Sequence, residues 1–135
     1  MPLEHIDPPT LMKPMGYTHV VAATGARTLY VAGQGAFDAQ WQLVGPGDLE
    51  AQARQAYGNL LLALEGAGAG PEHIAKSTMY VVGLEQAKLP AVMRGIAAAL
   101  GGRDARPPAS TMVGVERLAM DGMLIEIEAI AVVDA

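Results

Sequence analysis

The chain has 135 residues, a formal net charge of −5 and no cysteine, which excludes disulfides and cysteine-ligated metal sites. Its nine lysine and arginine residues are scattered and argue against nucleic acid as a general partner, because such binding depends on clustered positive charge. Residues 1–17 include Glu4 and Asp7 and do not fit a signal peptide, and no apolar run reaches the ~20 residues of a membrane span. These features indicate a cytoplasmic protein with no membrane segment.

The first half of the chain predicts an extended arm, two strands and a helix. The proline-rich start, residues 2–14, indicates the arm. The segment "HVVAATGARTLYVAG" (residues 19–33) has β-branched runs around a glycine turn, which predicts a β-hairpin. The segment "AFDAQWQLVGPG" (residues 36–47) fits either a short strand or an ordered loop. A helix is predicted from its N-cap, Asp48, to a stop at Gly66 and Gly68.

The second half of the chain predicts a strand, a helix and two further strands. The strand is "HIAKSTMYVVG" (residues 73–83), and the helix begins near Pro90 and stops at residues 101–102. Its apolar stripe comprises Leu89, Val92, Met93, Ile96, Ala97 and Leu100. The last two strands are "STMVGVERLA" (residues 110–119) and "MLIEIEAIAVV" (residues 123–133). The Asp-Gly pair between them predicts that they form a hairpin.

This order of elements predicts one α+β domain, residues 1–135, with a single sheet and two amphipathic helices on one face. In the last strand, alternate positions from Met123 to Val133 are all apolar, and so are three of the five positions between them. Successive side chains of a strand point to opposite faces, so the helices can cover only one of two apolar faces. A second copy of the chain is the predicted cover for the other. The overall composition, 51% hydrophobic and 17% charged residues, agrees with buried subunit contacts.

The sequence predicts no metal site and no cofactor. Its three histidines (His5, His19 and His73) are far apart and lack the spacing of metal ligands. The segment "GQGAFD" (residues 33–38) begins like a dinucleotide fingerprint, but Asp38 takes the place of the third glycine. A glycine-rich strand end is the favoured interpretation.

Glu126 and Glu128 interrupt the apolar last strand and are the strongest candidates for chemistry. One interpretation is a lightly covered strand with two solvated carboxylates. The other places at least one of them in a cleft at a subunit boundary, where a carboxylate is suited to proton transfer or water activation. The pattern alone leaves both open.

The sequence resembles the RidA (YjgF-like) family, also labelled L-PSP endoribonucleases. The segment "ARPPASTMVGVERLAMDGMLIEIEAIAVV" (residues 105–133) follows that family's C-terminal signature, and "MGYTHVV", "LYVAGQGAFD" and "IAKSTMYVVGLE" agree in order and spacing. The resemblance implies a chorismate-mutase-like fold, assembled as a homotrimer with inward-facing sheets and small-molecule clefts between subunits. Many members hydrolyse enamines and imines to a 2-keto acid and ammonia, without cofactor or metal.

The resemblance also implies which residues form the site. Glu126 matches the first glutamate of the family's E-I-E motif, which orients water or handles the proton in active members. Tyr17 matches a cleft tyrosine, and Gly33 a cleft glycine beside a strand end. Met112 falls where the family uses a backbone carbonyl. Ser110 stands at the position of the arginine that clamps the substrate carboxylate in the deaminases.

The departures from the family pattern set the functional expectation. A serine offers no charge in place of a bidentate arginine, while Ala32 and Ala91 replace a hydroxyl and an asparagine of the cleft. Arg106, in a loop four residues before Ser110, is a candidate substitute. The expectation is an imine or enamine deaminase, a hydrolase, of altered substrate range. The alternatives are a non-catalytic small-molecule-binding or regulatory trimer and, against the acidic charge balance, a ribonuclease.

Overall fold

The computed structural model describes residues 2–134 and contains a four-stranded sheet, a two-stranded sheet and two α-helices. The elements in chain order are β1 (Leu3–Ile6), β2 (Val20–Ala23), β3 (Arg27–Gln34), α1 (Leu49–Gly66), β4 (Ile74–Val82), α2 (Leu89–Leu100), β5 (Ala109–Val115) and β6 (Ile125–Val133). The larger sheet has the strand order β3-β6-β4-β5, and β1 pairs with β2. This is the predicted α+β architecture, with a second small sheet that the sequence pattern did not indicate.

Helix α1 follows the sequence prediction closely. The Asp48 side chain accepts a hydrogen bond from the backbone N–H of Ala51 and caps the helix. The helix ends at Gly66, and Gly68 adopts a φ of +79° just beyond it, a conformation that favours glycine. One apolar face of the helix is buried against the sheet (Ala53, Ala56, Tyr57, Leu60, Leu61 and Leu64).

Helix α2 has the predicted ends but only a partly covered apolar stripe. Pro90 lies in its first turn, and Gly101 closes it with a φ of +59°. Val92 and Ile96 are buried in the core. Met93, on the same stripe, remains 38% exposed because it borders an open cavity.

Both predicted hairpins are wrong, although the strands themselves are present. β2 pairs with β1 and not with β3, so the glycine turn at Gly25 joins two different sheets. β5 pairs with β4 in parallel, and β6 lies between β3 and β4, antiparallel to both. The Asp-Gly pair does form a turn, with a φ of +86° at Gly122. The chain leaving it crosses to the middle of the sheet.

Two other segments were only partly anticipated by the sequence. The proline-rich arm includes β1, which pairs in register from Leu3 opposite Ala23 to Ile6 opposite Val20. The segment 36–47, left open between strand and loop, is a loop with an isolated bridge between Phe37 and Leu43.

Strand β6 alternates as predicted between a covered and an open face. Its positions from Ile125 to Val133 that point toward the helices are buried, whereas Glu128 and Ile130 on the other side are exposed. We call this uncovered side the outer face; it also carries Tyr30, 79% exposed, and Val113, 37% exposed. Among residues 2–134, no helix combines the length and apolar character needed to cross a membrane.

Candidate functional site

Glu126 and Gly33 meet on the outer face of the sheet. Glu126 lies on β6 opposite Tyr80, half-buried. The ladder between β3 and β6 is irregular between Val31 and Gln34, which places Gly33 in a bulge, a feature common beside active sites. A Cβ built on Gly33 would lie 2.8 Å from Cδ of Glu126 and would overlap its Oε1. Glycine at residue 33 is therefore what allows the carboxylate to occupy this position.

The two glutamates of β6 have different surroundings. The Tyr80 hydroxyl donates a 2.8 Å hydrogen bond to Oε1 of the exposed Glu128. This hydrogen bond raises the pKa of Tyr80, with smaller contributions from burial and from the charges of both glutamates. Within residues 2–134, no side chain or backbone N–H forms a hydrogen bond or ion pair with the carboxylate of Glu126. Its carboxylate is thus available to a ligand, whereas that of Glu128 is engaged.

A cavity of about 570 Å³ lies on the opposite side of the sheet, between α2, β4, β5 and the segment before β2. We call it the methionine cavity, because four of its eight lining residues are methionines. Its lining residues are Met15, Gly16, Tyr17, Met79, Leu89, Met93, Ser110 and Met112. The cavity therefore brings together three of the residues predicted for the site, Tyr17, Ser110 and Met112.

Tyr17 is held at the cavity by its neighbour in the chain. The buried Thr18 donates its backbone N–H to the carbonyl of Pro108 and its hydroxyl to the carbonyl of Pro107. These two bonds fasten the N-terminal segment to the loop that leads into β5. The Tyr17 ring also makes an edge-on contact with His19, with ring centroids 5.3 Å apart. Tyr17 is consequently positioned from the same loop that positions Ser110.

Ser110 forms a hydroxyl pair with a serine on the next strand. The two Oγ atoms of Ser110 and Ser77 are 2.7 Å apart, and Ser77 is only 4% exposed. One further carbonyl, that of Pro108, is 3.4 Å from the Ser110 hydroxyl. Met112 lies two positions further along β5, opposite Met79. The floor of the cavity thus offers hydroxyl groups and thioethers, and no charge.

Arg106 does not line the methionine cavity. It borders a smaller adjoining cavity of about 190 Å³, which includes Ser77 and shares Gly16, Met79 and Met93 with the larger one. The Arg106 side chain is exposed. The two alanines at departures from the family pattern are separated, with Ala32 exposed on β3 and Ala91 half-buried in α2.

The predicted site residues thus form two groups on opposite faces of the sheet. Ser110 is level with Ser77 of β4, and Glu126 is level with Tyr80 of the same strand. Positions 77 and 80 differ by an odd number, so their side chains point to opposite sides. Glu126 and Gly33 form one group on the outer face, and Tyr17, Ser110 and Met112 form the other in the methionine cavity.

Sequence reasoning missed the residues that give the cavity its character. The sequence pattern does not single out Met15 or Met79, and it places Leu89 and Met93 only in the apolar stripe of α2. The only available signal was composition, since the chain has eight methionines and one phenylalanine. Methionine is typical of adaptable binding surfaces. Among residues 2–134, no cluster of three or more histidine, aspartate or glutamate side chains could hold a metal ion.

Comparisons with known proteins agree with this architecture. The model of the Endoribonuclease L-PSP family matches residues 11–133. A RutC family protein from Synechocystis is 35% identical over 123 residues, covering 88% of each chain. The crystal structure of the Rid family protein YyfB from Yersinia pestis is 40% identical, with a TM-score of 0.91, and covers 98% of this chain and 100% of that one.

A further solved structure, that of the YjgF gene product from E. coli, is 30% identical with a TM-score of 0.68 and covers 92% of this chain and 91% of that one. The mixed sheet with two helices on one face is accordingly the chorismate-mutase-like fold expected from the sequence. The chain belongs to the Endoribonuclease L-PSP family and is a RidA/YjgF-like protein.

Proposed function

We propose that the protein is a homotrimer whose intersubunit clefts hydrolyse imines or enamines, with a substrate range different from that of deaminases that carry the arginine clamp. The observation that carries the proposal is the division of the site. Glu126 and the methionine cavity lie on opposite faces of one sheet, so a ligand can touch both only when they come from two subunits. The exposed apolar residues of the outer face, such as Tyr30 and Ile130, support a subunit contact there.

Glu126 is the acid and base of the proposed reaction. Hydrolysis of an imine adds water to the C=N carbon, and the carbinolamine then breaks its C–N bond to give a carbonyl compound and an amine. A carboxylate beside the C=N bond takes a proton from the attacking water and gives it to the nitrogen. It then takes the hydroxyl proton of the carbinolamine and gives it to the leaving amine, so both protons of the water end on nitrogen and no net proton is consumed. Glu126 suits this role because its carboxylate is half-buried, free of protein partners in the described chain, and held against Gly33.

The altered substrate range follows from Ser110. A substrate carboxylate needs a cation or several donors to leave water, whereas Ser110 supplies a single uncharged hydroxyl, paired with that of Ser77 at 2.7 Å. Arg106 is exposed and borders only the smaller cavity. A simple 2-imino acid is therefore a poor substrate in this proposal.

Purified protein assayed on a panel of imines and enamines, with 2-aminoacrylate generated in situ among them, tests the proposal. We expect amine release from at least one uncharged imine, and a fall of about 100-fold or more in kcat/KM for Glu126→Gln, the range of general acid–base catalysis. Glu128→Gln is the matched control, since it makes the same change two residues away, and it should stay within about threefold of wild type. Equal rates for wild type and Glu126→Gln would remove the acid–base role, and rapid release of pyruvate from 2-aminoacrylate would refute the altered range.

The trimer is tested separately by sedimentation. A Tyr30→Lys or Ile130→Lys substitution places a charge on the outer face without touching the core, because both side chains are exposed in the single chain. We expect wild type to sediment as a trimer at micromolar concentration and the lysine variants to dissociate. A monomeric wild type would contradict the intersubunit cleft.

A second function, ligand binding without catalysis, is favoured by one specific observation. None of the eight residues that line the methionine cavity is charged, although chemistry at an imine develops charge. A ligand that raises the melting temperature while no imine of the panel is hydrolysed would establish this alternative.

A further inference from the structure

The side chains that line the methionine cavity indicate which kind of ligand it would bind. Met79 is buried at its base with 7% exposure, Met93 borders it from α2 with 38% exposure, and Met15 lies at its mouth with 87% exposure. Met112 and Leu89 complete the apolar walls. Flexible, polarisable thioethers on several sides can adapt to apolar groups of different shape.

The volume of the cavity is that of a small-molecule site. Its approximately 570 Å³ falls within the roughly 300–1,000 Å³ typical of ligand pockets, which are mostly apolar with a few placed polar groups. The smaller adjoining cavity of about 190 Å³ shares Met79 and Met93 with it and extends the apolar space toward Ala97 and Leu100. An aliphatic or aromatic group of several carbon atoms fits such a space.

The polar groups of the cavity can recognise a neutral acceptor. When Ser77 donates to Ser110, the Ser110 hydroxyl proton has only the carbonyl of Pro108 at 3.4 Å, a distance at the limit of a useful hydrogen bond. A carbonyl oxygen or an imine nitrogen of a ligand would give that proton a better acceptor. The Tyr17 phenol at the rim is the second neutral donor.

The methionine cavity offers no cation to pair with a ligand carboxylate. A carboxylate carried into an apolar cavity without a cation or several donors is strongly disfavoured. The lining of the methionine cavity has no lysine, arginine or histidine. Arg106 borders only the smaller adjoining cavity, and its side chain is exposed to water. The cavity therefore discriminates against the carboxylate itself and not against the body of the ligand.

We propose that the methionine cavity binds uncharged ligands with an apolar body and one carbonyl or imine group, held by the Ser110 hydroxyl, and that it rejects the corresponding carboxylates. The proposal rests on the proposed function in that it names the substrate class of the same cleft. Ketones of this class are also the products expected from hydrolysis of such imines, so they serve as probes that need no turnover.

Two ketones that differ at one group test the inference by calorimetry: 4-phenylbutan-2-one, which is neutral, and 2-oxo-4-phenylbutanoate, which carries a carboxylate in place of the methyl group. Binding is measured on wild type and on Glu126→Gln. Because both probes are ketones, the measurement requires no hydrolysis. We expect the neutral ketone to bind about tenfold or more tightly than the keto acid to both proteins. Tighter binding of the keto acid, or binding of neither ligand, would overturn the inference.

Three variants locate the binding. Ser110→Ala should weaken the neutral ketone about threefold to tenfold, the worth of one hydrogen bond. Ser77→Ala is its matched control, because it breaks the same hydroxyl pair but leaves the Ser110 hydroxyl in place, and it should retain affinity. Met93→Lys places a cation at the cavity from a partly exposed helix position and should shift the preference toward the keto acid.

The outcomes separate this inference from the proposed function. Binding of the neutral ketone without hydrolysis of any imine removes the catalytic proposal and leaves the ligand class intact. Hydrolysis of 2-imino acids together with tight keto acid binding removes the ligand class and the altered substrate range, and leaves only the acid–base role of Glu126 in imine hydrolysis. A preference for the neutral ketone that Met93→Lys and Ser110→Ala leave unchanged would place the ligand elsewhere and refute the cavity assignment.

Discussion

Replacing Gln52 by leucine should destabilise the protein by about 3 kcal/mol. The Gln52 side chain is fully buried in α1, and its Nε2 donates to the carbonyls of Gly45 at 3.1 Å and Gly122 at 3.0 Å. Its Oε1 accepts the N–H of Leu124 at 2.8 Å. Leucine has nearly the same volume but leaves all three backbone groups without their partner. Each buried unsatisfied group costs roughly 1–3 kcal/mol, reduced here by partial access to water and by the apolar burial that leucine adds.

The size of the effect on melting follows from the length of the chain. An unfolding entropy of about 2.1 cal/mol/K per residue gives roughly 0.28 kcal/mol/K for 135 residues. A loss of about 3 kcal/mol therefore lowers the melting temperature by about 10 °C. The bonds to Gly122 and Leu124 fix the start of β6 two residues before Glu126, so the same substitution should also reduce any activity that depends on Glu126.

Differential scanning calorimetry at one fixed protein concentration checks this prediction, because dissociation of an oligomer makes melting depend on concentration. Gln55→Leu is the matched control. Gln55 lies one turn along α1, is half-buried, and donates to the carbonyl of Phe37 at 3.4 Å and to Asn59 at 3.1 Å, so its loss should cost about 1 kcal/mol or less. Melting of Gln52→Leu within about 2 °C of Gln55→Leu would refute the assignment of Gln52 as the tie between α1 and β6.

Three further predictions concern stability. Asp48→Ala removes the cap on the Ala51 N–H and should cost about 1 kcal/mol by chemical denaturation, whereas Asp48→Asn should cost much less. Gly95→Ala should destabilise the chain although alanine favours helices, because a Cβ there would lie 2.7 Å from Cβ of Ala53 and closer still to backbone of α1; a higher melting temperature would contradict this close approach. Burial lowers the pKa of His5 below its ordinary value. At pH values between the lowered pKa and the ordinary one, the unfolded chain therefore binds more protons than the folded chain. Stability should therefore rise with pH up to about 6.5 and lose this contribution as pH falls, a difference that His5→Gln should abolish in melting curves recorded between pH 5 and 7.5.

The sequence predicts the helices well because their signals are local. In α1 the cap at Asp48, the apolar period and the glycine stop all lie within one segment, and the structure agrees with each of them. The strand pairings are nonlocal, and the hairpin signals therefore misled. A glycine turn can reverse the chain without its flanking strands pairing, as at Gly122, where β6 enters between β3 and β4.

The candidate site was only partly predictable for the same physical reason. The strand pattern indicates Glu126 together with Glu128, and the resemblance indicates Glu126 and Gly33. The contact between Glu126 and Gly33 depends on the pairing of β3 with β6, which neither segment encodes alone. The methionine cavity is assembled from four separate segments, so no spacing pattern marks it. The parity of strand positions, once the register is known, places Ser110 on the opposite face from Glu126.

This division gives a final prediction about mixed assemblies. Glu126→Gln disables the outer face, and Met93→Trp fills the methionine cavity from an exposed position on α2. In the proposed trimer each cleft combines the outer face of one subunit with the cavity of its neighbour. Random mixing of the two inactive variants in equal amounts should then restore about one quarter of the clefts, because one pairing in four brings an intact outer face to an intact cavity.

The assay is imine hydrolysis, or binding of the neutral ketone to the cavity where no turnover is found, measured after the variants are unfolded and refolded together. Each variant refolded alone is the control and should give no intact cleft. Activity of the mixture near one quarter of wild type would show that Glu126 and the cavity act from different chains. A mixture no more active than the two variants alone, with mixed trimers present by mass spectrometry, would mean that a single chain supplies the whole site, which contradicts the opposite-face geometry of Ser110 and Glu126.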